Sequence, residues 1–182
     1  MSDSATKELL RELIKESIIE SADKPPFYCS GRYSQKVDSK RRIQVPAKWR
    51  LPGDNVELTA VIWPLSPKEE CRCIGVITPD TLNRLLGEWK HEPVFNDAGA
   101  ARRRFYSEFT TQVCVDGAGR ICLPEWMTME TGIEKDVILI GMMDWGFQIW
   151  NPERFAKQKS RDALSIEANP PPATNFNPIS PP

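Results

Sequence analysis

The chain has 182 residues, 40% of them apolar, enough for one compact core or a pair of small ones. Its 24 Lys and Arg stand against 25 Asp and Glu, a net charge of −1, which excludes a uniformly basic coat and leaves any anion-binding surface to local clustering. No apolar run approaches the roughly 20 residues a bilayer span needs, and the first residues are acidic rather than basic and then apolar, so a cytoplasmic protein with no membrane partner is expected.

Residues 1–26 read as an amphipathic helical extension, because Leu9, Leu10, Leu13, Ile14, Ile18 and Ile19 recur with a helical period among Lys7, Glu8, Arg11, Glu12, Lys15 and Glu16. Such a stripe needs a partner surface: the chain's own body, a neighbouring copy or another protein. Its polar face mixes both signs, which argues against a membrane surface. Next, Val37-Asp38-Ser39-Lys40-Arg41-Arg42-Ile43-Gln44-Val45-Pro46 places Asp and Arg four residues apart across a polar turn, then an apolar, polar, apolar, Pro run. That is the pattern of a turn feeding a short strand that Pro ends. Two β-rich runs, 58–63 and 71–79, flank a loop from Pro64 to Glu70. Asp80 to Lys90 then reads as a helix with Leu82, Leu85, Leu86 and Trp89 on one stripe. Arg102, Arg103 and Arg104 precede Phe105, Tyr106 and Phe109 on a second helix, where the arginines either extend a basic face or cover the body and the aromatics read as core.

The first pattern then returns as Val115-Asp116-Gly117-Ala118-Gly119-Arg120-Ile121-Cys122-Leu123-Pro124. With it come two more β-rich runs, 137–141 and 146–152, and a helix start at Glu153. The chain thus carries an internal repeat, which describes architecture before chemistry. The copies differ in length: 33 residues separate Pro46 from Pro79 and 28 separate Pro124 from Pro152, so the first hairpin loop takes the insertion, where it is tolerated. Six of the thirteen residues from Pro170 to Pro182 are Pro, and residues 158–182 are expected to form a disordered Pro-rich tail.

An Asp in such a turn accepts backbone N–H bonds, and an Arg across the loop pairs with it through a charge-assisted contact. The pair either fastens the loop or aims the Arg at a phosphate or guanine edge. From Gly31 to Arg50, seven cations (Arg32, Lys36, Lys40, Arg41, Arg42, Lys48, Arg50) face the single anion Asp38, the footprint of a phosphate-binding face or of a solvated one. The second copy has only Asp116, Arg120 and Glu125 between Gln112 and Glu125, so repeat one is expected to dominate any nucleic-acid contact. No Ser-His-Asp set or phosphate-cradling Gly-rich loop is present, and a carboxylate facing an Arg is a poor proton carrier at neutral pH, so no enzyme is expected. Cys71-x-Cys73 and the pair Cys114 and Cys122 are the only arguments for a metal. With one His, His91, and no Cys-x-x-Cys, neither a metal nor another cofactor is expected, and five cysteines fit reduced thiols.

The residues resemble the MraZ transcriptional regulators, on Gly31-Arg32-Tyr33-Ser34, on Asp38 to Arg42 with Pro46, on Asp116 to Arg120 with Pro124, and on Val137 to Gly141 leading to Ile149-Trp150. The resemblance covers about residues 27–157: repeat one at 27–79, connecting helices at 80–106 and repeat two at 107–157. It implies a mainly β fold with flanking helices, a pseudo-symmetric double-repeat β-barrel of AbrB-like swapped hairpins. It further implies a ring-shaped, octamer-like homo-oligomer that binds double-stranded DNA and represses the division and cell-wall gene cluster containing its own gene, as a nucleoid-associated protein. Arg42 and Arg120 would then read bases, with Lys40, Arg41, Lys36 and Arg32 supporting contact and Asp38 and Asp116 stapling the loops. The alternative is an AbrB-like protein-interaction module, such as an antitoxin, acting through its terminal helix or tail. Two departures stand out: Arg41 occupies the position where the family has Gly, so that the loop is reshaped or gains a phosphate contact, and the stretch before Phe27 has no family counterpart.

Overall fold

The computed structural model describes residues 28–53, 56–64, 70–88 and 97–170, so the expected N-terminal helix at 1–26 and the tail from residue 171 onward lie outside the described residues. In chain order the elements are β1 (Arg32–Lys36), β2 (Arg42–Gln44), a 3-10 turn (Ala47–Trp49), β3 (Glu57–Trp63), β4 (Cys73–Ile77), α1 (Pro79–Glu88) and α2 (Asp97–Glu108). There follow β5 (Thr110–Cys114), β6 (Arg120–Cys122), α3 (Glu125–Thr131), β7 (Asp136–Gly141), β8 (Gly146–Trp150) and α4 (Pro152–Ala168). Strand, strand, helical turn, strand, strand, helix occurs twice, as the duplicated sequence requires.

Six strands form an antiparallel sheet in the order β1-β7-β8-β4-β3-β5, and β2 pairs with β6 in a separate ribbon. Each copy keeps its own hairpin, β3 with β4 and β7 with β8, and the two hairpins join through β4 and β8. The outer strands are exchanged. β1 runs against β7 with Gln35 opposite Val137, while β5 runs against β3 with Val113 opposite Leu58. The sheet therefore reads the same from either edge when each strand is replaced by its counterpart.

This sheet is open, in contrast to the expected barrel: β1 and β5 are its edges, and no ladder joins them among the described residues. The reason lies at the Asp-Arg turns. Each edge strand leads through its turn into β2 or β6, and these pair with each other across the core instead of extending the sheet. Ile43 and Ile121, opposite one another in the ribbon, are fully buried against Trp49, Leu58, Ile62, Val76, Leu139, Phe147 and Ile149. Burying an aliphatic side chain of that size contributes roughly 1.5–3 kcal/mol, so the inward side of the ribbon is fixed by hydrophobicity and its outward side is free for chemistry. The opposite sheet face holds a second cluster of Cys71, Cys73, Ile138 and Trp150 beneath Phe155 of α4.

Local signals place the helices. Asn151 accepts the N–H groups of Glu153 and Arg154 at 2.9 and 3.1 Å, with Pro152 opening α4. Gly132, at φ 64°, ends α3 in the left-handed conformation that glycine adopts without strain. The end of α4 corrects the expected tail boundary, since the helix runs to Ala168 where disorder had been expected from residue 158. Up to that point the segment has helix formers and no Pro after Pro152, and the Pro-rich composition begins only at Pro170.

Candidate nucleic-acid interface

The two Asp-x-x-x-Arg turns sit at opposite ends of the short antiparallel β2–β6 ribbon, in which Arg42 stands opposite Cys122 and Arg120 opposite Gln44, and their geometry agrees bond for bond. In the first loop the Asp38 carboxylate accepts the N–H groups of Lys40 and Arg42 on one oxygen, both at 2.8 Å. Its other oxygen takes Arg42 Nε at 2.8 Å and Nη2 at 2.7 Å. In the second, Asp116 accepts Ala118 and Arg120 N–H at 3.0 and 2.9 Å, then Arg120 Nε and Nη2 at 3.0 and 2.9 Å. Backbone bonds close both turns, Asp38 N–H to the Arg42 carbonyl at 3.0 Å and Asp116 N–H to the Arg120 carbonyl at 2.8 Å.

The electrostatic consequence is the same in each. Hydrogen bonding from Arg42 holds the Asp38 carboxyl well below the ordinary range, at about 2, and Arg120 lowers Asp116 in the same way. Asp38 in turn raises Arg42, so both partners stay charged across the biological pH range. A side-on pair through Nε and Nη2 fixes the guanidinium plane and leaves the remaining terminal N–H groups uncommitted to the Asp, a preorganised donor edge on an exposed ribbon.

Cross-ribbon bonds tie the loops together: Val45 N–H donates to the Gly119 carbonyl at 2.9 Å and Leu123 N–H to the Arg41 carbonyl at 2.8 Å. Arg41 has φ 57° and Gly119, its counterpart, φ 76°. The first loop is thus not reshaped by its departure from glycine. An arginine takes the left-handed conformation in an otherwise unchanged turn, and its side chain projects outward, 3.7 Å from Glu125. At Gly119 a Cβ would fall on the Arg50 guanidinium, which would have to leave the 2.9 Å bond from its Nε to the Val45 carbonyl.

A profile of the family described as "MraZ protein, putative antitoxin-like" matches residues 108–177. The protein called transcriptional regulator MraZ in Caldanaerobacter subterraneus subsp. tengcongensis is 30% identical over 148 residues, covering 81% of this chain and 97% of that one. Its namesake in Rhodospirillum rubrum is 30% identical over 136 residues, 72% of this chain and 84% of that one. That in Alkaliphilus metalliredigens is 29% identical over 138 residues, 75% and 90% respectively. The chain belongs to the MraZ family. MraZ proteins are transcriptional regulators and not enzymes.

In this MraZ protein the residues singled out from sequence do not all share one surface. Lys40, Arg41, Arg42 and Arg120 gather at the ribbon with Asp38 and Asp116. Arg32 does not join them: it packs over the Phe155 ring at 5.3 Å, on the α4 side of the sheet. Lys36 shares the Arg32 side of β1 by strand alternation, whereas Tyr33 and Gln35 face the core and ribbon. The basic run of the sequence is therefore divided by the pleat of β1. Two residues of the site escaped sequence reading, Gln35 and Gln44, whose side chains bond backbone carbonyls around the loops, and Arg50, counted there only among the cations, bonds the Val45 carbonyl in the same way. Gln44 alone had a signal, being the polar residue between the inward Ile43 and Val45. Among the described residues no helix is long and apolar enough to cross a membrane.

Proposed function

We propose that this protein is a sequence-specific, DNA-binding repressor built from two AbrB-like swapped-hairpin repeats, and that it reads DNA with the paired Asp-Arg loops. The observation that carries this is the matched pair of carboxylate-anchored guanidiniums, Arg42 and Arg120, on the exposed side of one two-stranded ribbon. A ribbon of that width enters the major groove, where an Arg edge pairs with guanine O6 and N7. Lys40 and Arg41 flank Arg42 and contact phosphates, Arg32 and Lys36 stand apart on the other side of β1, and repeat one supplies most of the positive charge. The exchanged outer strands support the swapped-hairpin reading.

A single ribbon makes few contacts and binds weakly. A ring of copies presents it repeatedly, and adjacent DNA repeats spaced near one helical turn then gain avidity. On this proposal, which the family resemblance supports, the target is the division and cell-wall gene cluster that includes the protein's own gene, and the protein works in the cytoplasm at the nucleoid. The family description as antitoxin-like favours one second reading, a protein-binding module acting through the chain ends.

Titration of a labelled fragment from upstream of its own gene against a scrambled fragment, at two salt concentrations and with Arg42→Ala alongside, decides between them. Specific, salt-sensitive binding that the substitution weakens without abolishing is the expected result. Equal weak binding to both fragments, unchanged by the substitution, reduces the Asp-Arg pairs to loop staples.

A further inference from the structure

The two loops match in backbone and in their Asp-Arg pairs, yet they are held from behind by different chemistry. Behind the second loop, Gln44 Nε2 donates to the carbonyls of Ala118 and Gly119 at 2.8 and 3.0 Å. Gln44 is itself fixed: its N–H donates to Gln35 Oε1 and its carbonyl accepts from Gln35 Nε2, both at 2.8 Å. Four hydrogen bonds thus run from an edge strand of the sheet through one amide side chain to a second and on to the tip of the second loop. At the equivalent positions of the other repeat, Gln35 is replaced by Val113, which is buried in the core, and Gln44 by Cys122. There, beyond the backbone bond that both loops receive across the ribbon, the first loop's carbonyls take one side-chain donor among the described residues, the Cys122 thiol on the Lys40 carbonyl at 3.4 Å, a weak one.

Resting on the DNA reading above, we infer that Gln35 acting through Gln44 is a positioning residue for the second loop, and that the two loops are unequal readers. The second, without a cation between Asp116 and Arg120 but clamped from behind, holds Arg120 in one orientation and contributes sequence selectivity. The first, rich in cations and loosely backed, adjusts to the phosphates. The asymmetry gives each ribbon a direction on DNA, which two identical loops would lack.

Gln35→Val tests this, since it installs the residue that the other repeat tolerates at the same place. The full-length protein is compared as Gln35→Val alone and in Arg120→Ala and Arg42→Ala backgrounds, on the labelled upstream and scrambled fragments. Gln35→Val alone is expected to weaken specific binding about fivefold, the loss of roughly 1 kcal/mol, with the scrambled fragment and the salt slope unchanged. In the Arg120→Ala background it should cost nothing further, and in the Arg42→Ala background the whole fivefold should persist. Equal losses in both backgrounds overturn the assignment, because a general structural defect adds to either. Amide exchange at Ala118, Gly119 and Arg120 supplies a reading independent of DNA: faster exchange there, with Lys40 to Arg42 unchanged, is expected, and no change refutes the relay. Should Gln35→Val fail to fold, Gln44→Cys removes only the last link and is read by the same outcomes. Absence of specific binding by the unsubstituted protein sinks the DNA reading itself, while amide exchange still decides the relay.

Discussion

Arg41 offers the sharpest test of the loop geometry, because a side chain occupies a backbone conformation that its counterpart reserves for glycine, φ 57° against 76°. Left-handed backbone costs a residue with a Cβ about 1–2 kcal/mol. Arg41→Gly removes that cost, adds about 0.4–1 kcal/mol of unfolded-chain entropy, and loses the Arg41–Glu125 pair. That pair is 3.7 Å apart with both side chains largely exposed, so its loss is at most about 0.5 kcal/mol. The sum runs from a loss of about 0.5 to a gain of about 1.6 kcal/mol for the variant, a change in unfolding midpoint of no more than about 6 °C for a chain of this size. On the proposed DNA reading, in which Arg41 contacts a phosphate, binding moves the other way, since losing one such cation flattens the slope of log affinity against log salt by about 0.9. Gly119→Ala is the converse: it incurs the backbone cost of about 1–2 kcal/mol and also displaces the Arg50 guanidinium. Thermal and urea unfolding of both variants, with salt-dependent titration of the first, checks each part. A loss of more than about 1 kcal/mol in Arg41→Gly, or a Gly119→Ala variant as stable as its parent, would refute the reasoning.

Asp38 titrates far below an ordinary carboxylate, so the stability from its pairing with Arg42 is complete above the ordinary value and is lost as pH falls toward about 2. Unfolding midpoints between pH 5 and pH 2 should show Asp38→Asn losing its deficit against the parent over that interval, and a carboxyl titrating at an ordinary value by NMR would contradict the pairing. Of the five cysteines, Cys114 and Cys122 are exposed and should react rapidly with a thiol reagent, whereas Cys29, Cys71 and Cys73 are buried, with desolvation pushing Cys29 up to about 12. Mass spectrometry of the native protein should show two additions; three or more at the same rate would mean that the core is open. Arg72 is buried, with Nη1 on Glu130 at 2.7 Å, its guanidinium 5.0 Å over Phe109, and Nε and Nη2 without hydrogen-bond partners among the described residues. Glu130→Ala should therefore destabilise by about 2 kcal/mol, and Arg72→Met by less, because a buried unpaired charge costs more than an apolar replacement; the opposite order in urea unfolding would overturn this.

The duplicated order of elements was legible because strand and turn chemistry repeat locally: an Asp turn, an alternating run and a closing Pro recur with the same spacing in both copies. The helix starts near Asp80 and Glu153 were legible for the same reason, that of α3 at Glu125 was not, and the actual end of α4 at Ala168 lies just before the Pro-rich composition that sequence reading had extended too far back. Pairing across the copies was not legible from residues alone. That β1 runs against β7 and that β2 and β6 form a ribbon of their own are consequences of packing Ile43 against Ile121, a contact between residues far apart in the chain.

The same limit explains why the basic run of the sequence does not fold into one surface. Counting charge along 31–50 treats the segment as one surface, but strand alternation turns Arg32 toward Phe155 and Gln35 toward Gln44, so linear clustering overstates the basic face and hides its scaffold. Neutral amides give no charge signal, and their importance arises only where a backbone carbonyl needs a donor. In a ribbon whose inward side is saturated by the core, the few outward hydrogen bonds decide which loop is rigid. The two copies diverge most consequentially at Gln35 and Val113, and at Gln44 and Cys122, where a ladder is completed by side chains in one repeat and by packing in the other. A duplicated fold can thus keep two matching Asp-Arg pairs while giving them different stiffness, and with it different work.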